Sequence, residues 1–197
     1  MKKIIPIILV LLFLPAVCWG AITEGTNAGF VTVAPTTDPE GTAELDINNL
    51  SRSAKFTAPA GAITITEIGW YCTWDPPFNG NWEAGVYSDD GNGATSLPVN
   101  LLYVSRTNAT GTTHGWLRST VNFSITAGTI YWLAIQLDTL STTMPIDGAT
   151  GGSRRSYMNA PQLTLANPWV SNGVSDNILA IYAVYTTGGV SRRMWIF

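Results

Sequence analysis

The residues best suited to chemistry lie in one short run, Trp74-Asp75-Pro76-Pro77-Phe78-Asn79-Gly80-Asn81-Trp82. It sets three aromatic rings among carboxylate and amide side chains, and two prolines stiffen it. Sugar rings present apolar C–H faces that stack on aromatic rings, while their hydroxyls pair with planar amides and carboxylates. A loop of this composition suits a carbohydrate, with Trp74, Asp75, Phe78, Asn79, Asn81 and Trp82 as candidate ligand-binding residues. A second aromatic turn, Asn167-Pro168-Trp169-Val170, adds Trp169 to that set. The competing reading is that Trp74 and Trp82 close the ends of a hydrophobic core, with Phe78 tucked beneath.

Other chemistry is less well supplied. His114 is the single histidine, which excludes a histidine metal cluster and leaves only that residue for a Ser–His–Asp triad. Its context, Thr112-Thr113-His114-Gly115, suits a solvated turn better. The sequence has no CxxC, no phosphate-cradling glycine motif and no nucleophile elbow. Glu67, Asp75 and Glu83 are the carboxylates to consider for glycoside hydrolysis, but nothing in their spacing holds two at the separation that reaction needs. We therefore expect a non-enzymatic protein with no catalytic residues. Asp89-Asp90-Gly91-Asn92-Gly93 offers several oxygens to calcium, although Asp-Gly and Asn-Gly pairs read first as tight turns. No metal or other cofactor is expected, with calcium as the alternative. Arg154-Arg155 with Tyr157, between Gly151 and Ala160, has the chemistry to grip an anionic sugar or is an ordinary solvated loop.

The elements that must position these residues are strands. Short β-favouring runs alternate with Gly, Pro, Asn and Asp clusters, and charged residues make up only 12% of the chain; this is the pattern of an all-β sandwich or barrel. The spacing predicts strands near Phe30–Val33, Ala54–Phe56, Ala62–Trp74, Trp82–Ser88, Leu101–Ser105, Gly115–Ile125, Thr129–Asp138 and Asn177–Thr186. Any helix should be a single turn. Between Trp116 and Ile125, Leu117, Val121, Phe123 and Ile125 share one face while Arg118, Thr120, Asn122 and Ser124 share the other, as in a half-buried strand. In Ala62–Trp74 the inward parity switches near Glu67, from Ile63 and Ile65 to Ile68, Trp70 and Cys72, which predicts a bulge.

The first residues carry a different signal. Met1-Lys2-Lys3, the uncharged apolar run Ile4–Ala16 and the small residues around Gly20 predict a signal peptide over residues 1–20, followed by a β-sandwich domain over 21–188 and a C-terminal tail over 189–197. Cleavage after Gly20 is the first reading, and lipidation at Cys18 is the alternative. The apolar run is shorter than the roughly 20 residues of a bilayer span, so no membrane span is expected in the mature chain. The expected location is secreted or at the cell surface, with the periplasm as an alternative. Of 10 basic and 13 acidic residues, Lys2 and Lys3 leave with the leader, so the domain is acidic. That argues against nucleic acid as a partner. Only Cys72 remains of the two cysteines, so the domain is held by its core rather than by an internal disulfide.

Gly85-Val86-Tyr87-Ser88-Asp89-Asp90-Gly91, then Leu101-Leu102, Gly115-Trp116 and Ile125-Thr126-Ala127-Gly128-Thr129-Ile130-Tyr131-Trp132-Leu133-Ala134 resemble a group of bacterial and phage-associated extracellular β-sandwich modules with a "YSDDG…AGTxYWLA" pattern. The resemblance covers residues 52–138. It implies an antiparallel, jelly-roll-like sandwich of about eight or more strands, used for binding or display. The expected function is a module that binds a glycan or cell-surface polymer through aromatic end loops. The alternative is a structural or display protein of a cell surface, filament or virion. Such a protein would self-associate or dock a partner through the tail Val190-Ser191-Arg192-Arg193-Met194-Trp195-Ile196-Phe197.

Overall fold

Alternation in the sequence becomes eleven strands in the computed structural model, which describes residues 21–41, 43–47, 50–75, 80–137, 144–159 and 164–188. They are β1 (Gly29–Val31), β2 (Ala43–Asp46), β3 (Leu50–Thr57), β4 (Ala62–Cys72), β5 (Asn81–Asp89), β6 (Pro98–Ala109), β7 (Gly115–Ser124), β8 (Ile130–Leu137), β9 (Pro145–Asn159), β10 (Gly173–Leu179) and β11 (Ile181–Thr187). The helical content of the described residues is one 3₁₀ turn at Gly93–Thr95. The expected leader (residues 1–20) and tail (189–197) lie outside the described residues, as do Phe78 and Asn79.

The strands form the expected all-β sandwich. One layer runs β1-β11-β4-β7 and the other β6-β5-β8-β3-β9, with β10 and β2 also paired to β9. Pairing is antiparallel except for β1 on β11. The two layers touch in the ladder at a single pair, Cys72 with Ile146. Long β9 is therefore the plank that crosses between them: its first half pairs with β2 and β10, its second half with β3 and β10. Ile65, Ile68 and Trp70 from β4, Trp82 and Val86 from β5, and Leu133 and Ile135 from β8 fill the space between the layers. Trp70 and Trp82 meet edge to face across it, ring centres 6.1 Å apart. Each such side chain removes roughly 150–250 Å² from water, so these aromatics dominate the stabilisation of the core.

The predicted bulge is present. In both ladders of β4 the register jumps Thr66, between Ile65 and Glu67, and the inward parity changes there. Ile63, expected inside, is instead exposed at the start of the strand. Two expectations are corrected. Residues 145–159, expected as loop, form the longest strand, β9, and Asn177–Thr186, expected as one strand, is two, with β10 and β11 divided at Ala180.

Both outer faces are covered. A strap over residues 164–172 lies on the outer side of β5 and β8, where Leu165 and Trp169 join Tyr87, Trp132, Ala134 and Met158 in a second apolar cluster. Gly85 allows this approach, because a Cβ there would stand 2.6 Å from Leu165 Cδ1. Glu83 on the same face accepts from Leu165 N at 2.7 Å and is ion-paired to Arg106. An arm over residues 32–41 crosses the other layer, where Trp116 Nε1 donates to Thr37 O at 2.8 Å and the Arg118 guanidinium donates to Pro35 O. No helix among the described residues is long and apolar enough to cross a membrane.

Candidate functional site

The arm ends against β4 and β9, and there it forms a pocket of about 180 Å³, open to solvent and lined by Asp38, Glu40, Gly41, Tyr71, Thr73 and Asp147. Three segments far apart in sequence supply it. The arm gives Asp38, Glu40 and Gly41, the end of β4 gives Tyr71 and Thr73, and β9 gives Asp147. Glu40 N donates to Asp38 Oδ1 at 2.8 Å, turning the arm with Glu40 in the left-handed region at φ +52°. Gly41 N then donates to Asp147 Oδ2 at 2.7 Å. Only glycine permits that closure, since a Cβ at residue 41 would lie 1.7 Å from Asp147 Oδ1. Asp147 is 3% exposed and also accepts from Gly148 N at 3.0 Å.

The hydroxyl protons at the rim are already used. Tyr71 donates its phenolic proton to Asp38 Oδ2 at 2.6 Å, and Thr73 Oγ1 donates to Pro145 O at 3.3 Å. Burial, then the bond to Asp38 and the surrounding carboxylates, push the Tyr71 phenol well above its ordinary range. The pocket therefore faces a ligand with carboxylates and with oxygens whose lone pairs are outward.

Trp74 follows Thr73 directly and is 51% exposed, the one exposed tryptophan among the described residues. Next to it, Asp75 Oδ1 accepts from His114 N at 2.7 Å and lies 2.7 Å from His114 Nδ1, fastening this loop to the β6–β7 turn. The His114 backbone N–H, then its ring, hold the Asp75 carboxyl below the usual aspartate range.

The other expected ligand contacts are scattered. Trp82 is fully buried, its indole N–H donating to Ala109 O at 3.3 Å. Trp169 is 6% exposed, edge-on to Tyr87, and donates to Ser156 Oγ. Neither offers a face to a ligand, which corrects the sequence-based expectation for both: packing against Trp70 and Tyr87 takes those faces. Asn81 opens β5, half-buried and in register with Ala109. Glu67, Asp75 and Glu83, weighed as paired carboxylates, are each committed elsewhere, Glu67 to the Tyr182 hydroxyl at 2.5 Å and Glu83 to Arg106.

The Asp89–Gly93 run is a turn. Asp89 Oδ2 accepts from Gly91 N and Asp90 Oδ1 from Asn92 N, both at 3.0 Å, while Asp89 Oδ1 accepts from the Trp132 indole at 2.8 Å. This last bond ties two separated parts of the "YSDDG…AGTxYWLA" pattern together. Arg155 lies in β9 rather than in a loop, its Nε bonded to Ser175 Oγ. Asp38, Glu40 and Asp147 carried no local signal. No family model matches this chain, and no curated protein or solved structure matches it either.

Proposed function

We propose that this protein is an exported, non-catalytic binding module that holds a glycan or cell-surface polymer at the pocket beside Trp74. The observation that carries this reading is an open pocket lined by carboxylates and hydroxyl oxygens at the end of β4, with the half-exposed Trp74 following its lining residue Thr73 in sequence. An aromatic face against the C–H side of a sugar and planar acceptors for its hydroxyls are the two things such a ligand requires. Carboxylates held by backbone N–H groups and by a tyrosine are placed to bind rather than to exchange protons with a substrate. The volume is below the roughly 300–1,000 Å³ of pockets that enclose a whole small molecule, which suits one ring of a longer chain.

A glycan array probed with the purified protein tests this, with tryptophan fluorescence followed on any hit. We expect a hit that shifts the emission and loses affinity in Trp74→Ala while the thermal melt is unchanged. A blank array, or a hit indifferent to Trp74, would overturn the proposal.

A second reading, assembly into a surface or virion structure, is favoured by the open ladder. Among the described residues β6 pairs as a strand only with β5 and β7 only with β4, and strands with one unpaired ladder edge accept added strands. Under that reading removal of residues 189–197 dissolves an oligomer seen by light scattering. Under the first reading the same deletion leaves glycan binding intact.

A further inference from the structure

A turn can react as well as connect. Asn92 and Gly93 lie between β5 and β6, both exposed, and no residue of the 3₁₀ turn Gly93–Thr95 is buried. The Gly93 N–H has no acceptor among the described residues. Gly93 has φ +60°, and a Cβ there would meet nothing within 4 Å, so the approach to its backbone is uncrowded. Asparagine is thermolabile, and a glycine after it leaves the next nitrogen unhindered and its backbone free to turn. We propose that Asn92 is a self-modifying position, converted without an enzyme to a mixture of aspartate and isoaspartate. The Gly93 nitrogen attacks Asn92 Cγ and gives up its proton. The Cγ–Nδ2 bond breaks, ammonia leaves carrying that proton, and a five-membered succinimide closes. Water then opens the ring at either carbonyl. Breaking the bond to Cγ restores the main chain with an aspartate. Breaking the bond to the Asn92 carbonyl carbon gives isoaspartate, with the chain routed through the side chain.

The fold selects this position from others of the same sequence. At Asn172-Gly173, Asn172 N donates to Tyr157 O at 2.9 Å and Gly173 O accepts from Ser171 Oγ at 3.1 Å. Gly173 opens β10 opposite Tyr157, whose ring would stand within 2.6 Å of a Cβ at that residue. Closing a succinimide there pulls a ladder residue out of register, whereas at Asn92 it opens only a surface turn, and exposed turns open at far lower cost than ladders. A third such pair, Asn79-Gly80, has its asparagine outside the described residues. The product does not restore the turn. Asn92 Nδ2 donates to Asp90 Oδ2 at 2.8 Å, and a carboxylate in its place meets Asp90 as like charge. Isoaspartate also adds a carbon to the main chain just ahead of Gly93 O, which accepts from Lys55 Nζ at 2.9 Å and from Ser96 N at 3.2 Å. The conversion therefore loosens the tie between this turn and β3.

Peptide mass mapping of the full-length protein, held for weeks in warm, mildly alkaline buffer, tests this. Fragmentation of the peptide that carries Asn92 separates aspartate from isoaspartate. In the folded protein we expect Asn92 to convert about tenfold or more faster than Asn172, the ratio that a modest difference in local opening produces. In urea the two should convert at similar rates, because the ladder that protects Asn172 is gone. Asn92→Gln should abolish the conversion in that peptide, and the converted wild-type protein should exchange its Ser96 amide faster than the fresh protein does. Equal rates at the two positions in the folded protein would overturn the inference. So would an Asn92 that stays intact in the folded protein while the urea sample converts. An unchanged Ser96 exchange rate after conversion would refute the loosening of the turn.

Discussion

Two tryptophans eight positions apart in sequence do opposite work. Trp82 is enclosed between the layers and Trp74 stands half in water. Trp82→Ala leaves a ring-sized cavity and should cost about 3–5 kcal/mol, a large part of the 5–15 kcal/mol that holds a typical domain. Trp74→Ala should shift stability by no more than about 0.5 kcal/mol. Urea denaturation of both variants checks the contrast. Cys72 gives a second test at this scale, because burial pushes its thiol up to about 11. It should resist a thiol reagent at neutral pH and react at once in denaturant. Asp75 gives a third. Its folded-state carboxyl is depressed, so the tether to His114 contributes above the ordinary aspartate value of about 3.9. That contribution is lost as pH falls through the depressed value. The side-chain carboxyl carbon resonance of Asp75 should titrate with a midpoint below the ordinary aspartate value of about 3.9; a midpoint at or above it would contradict this.

At the scale of elements, the straps decide which faces are wet. Gly85→Val would drive a side chain into Leu165, and we expect hydrogen exchange across residues 165–171 to rise while β4 and β8 stay protected. The alternation in β7 was legible because one of its faces meets the core and the other is largely exposed, and the parity switch in β4 was legible from the spacing of Ile65, Ile68, Trp70 and Cys72, although β4 is buried on both faces from Ile68 onward. β8 is buried on both faces, Tyr131, Leu133 and Ile135 in the main core and Trp132 and Ala134 beneath Leu165 and Trp169. β9 was not legible. Pro145, Gly148, Gly151 and Gly152 are turn residues by local propensity, and only pairing with β2, β3 and β10 makes an extended strand of them. The pocket was hidden for a related reason. Asp38, Tyr71 and Asp147 meet only after the arm crosses one layer and β9 bridges both, so no window of sequence contains them, whereas Trp74 and Asp75 sit in a single run.

For the whole molecule, the sandwich encloses one main core with its ladder left open at β6 and β7. Those edges are blunted rather than bare. Trp169 N donates to Val99 O and Leu101 N donates to Asn167 Oδ1, so the strap covers part of β6, and Ser105 and Ser119 join the two edges through their hydroxyls at 2.6 Å. Deleting the strap should therefore promote association through β6, visible by light scattering. The pairing of β1 with β11 has a separate result. β11 lies between β1 and β4, so the last strand among the described residues is an interior member of its layer, not an edge. A nascent chain cannot complete that layer until β11 has been made. A chain stopped before Ile181 should show no slow-exchanging amides in β1 or β4. Until β11 is added, β1 and β4 lack the strand that joins them, so folding of this layer waits on its final member.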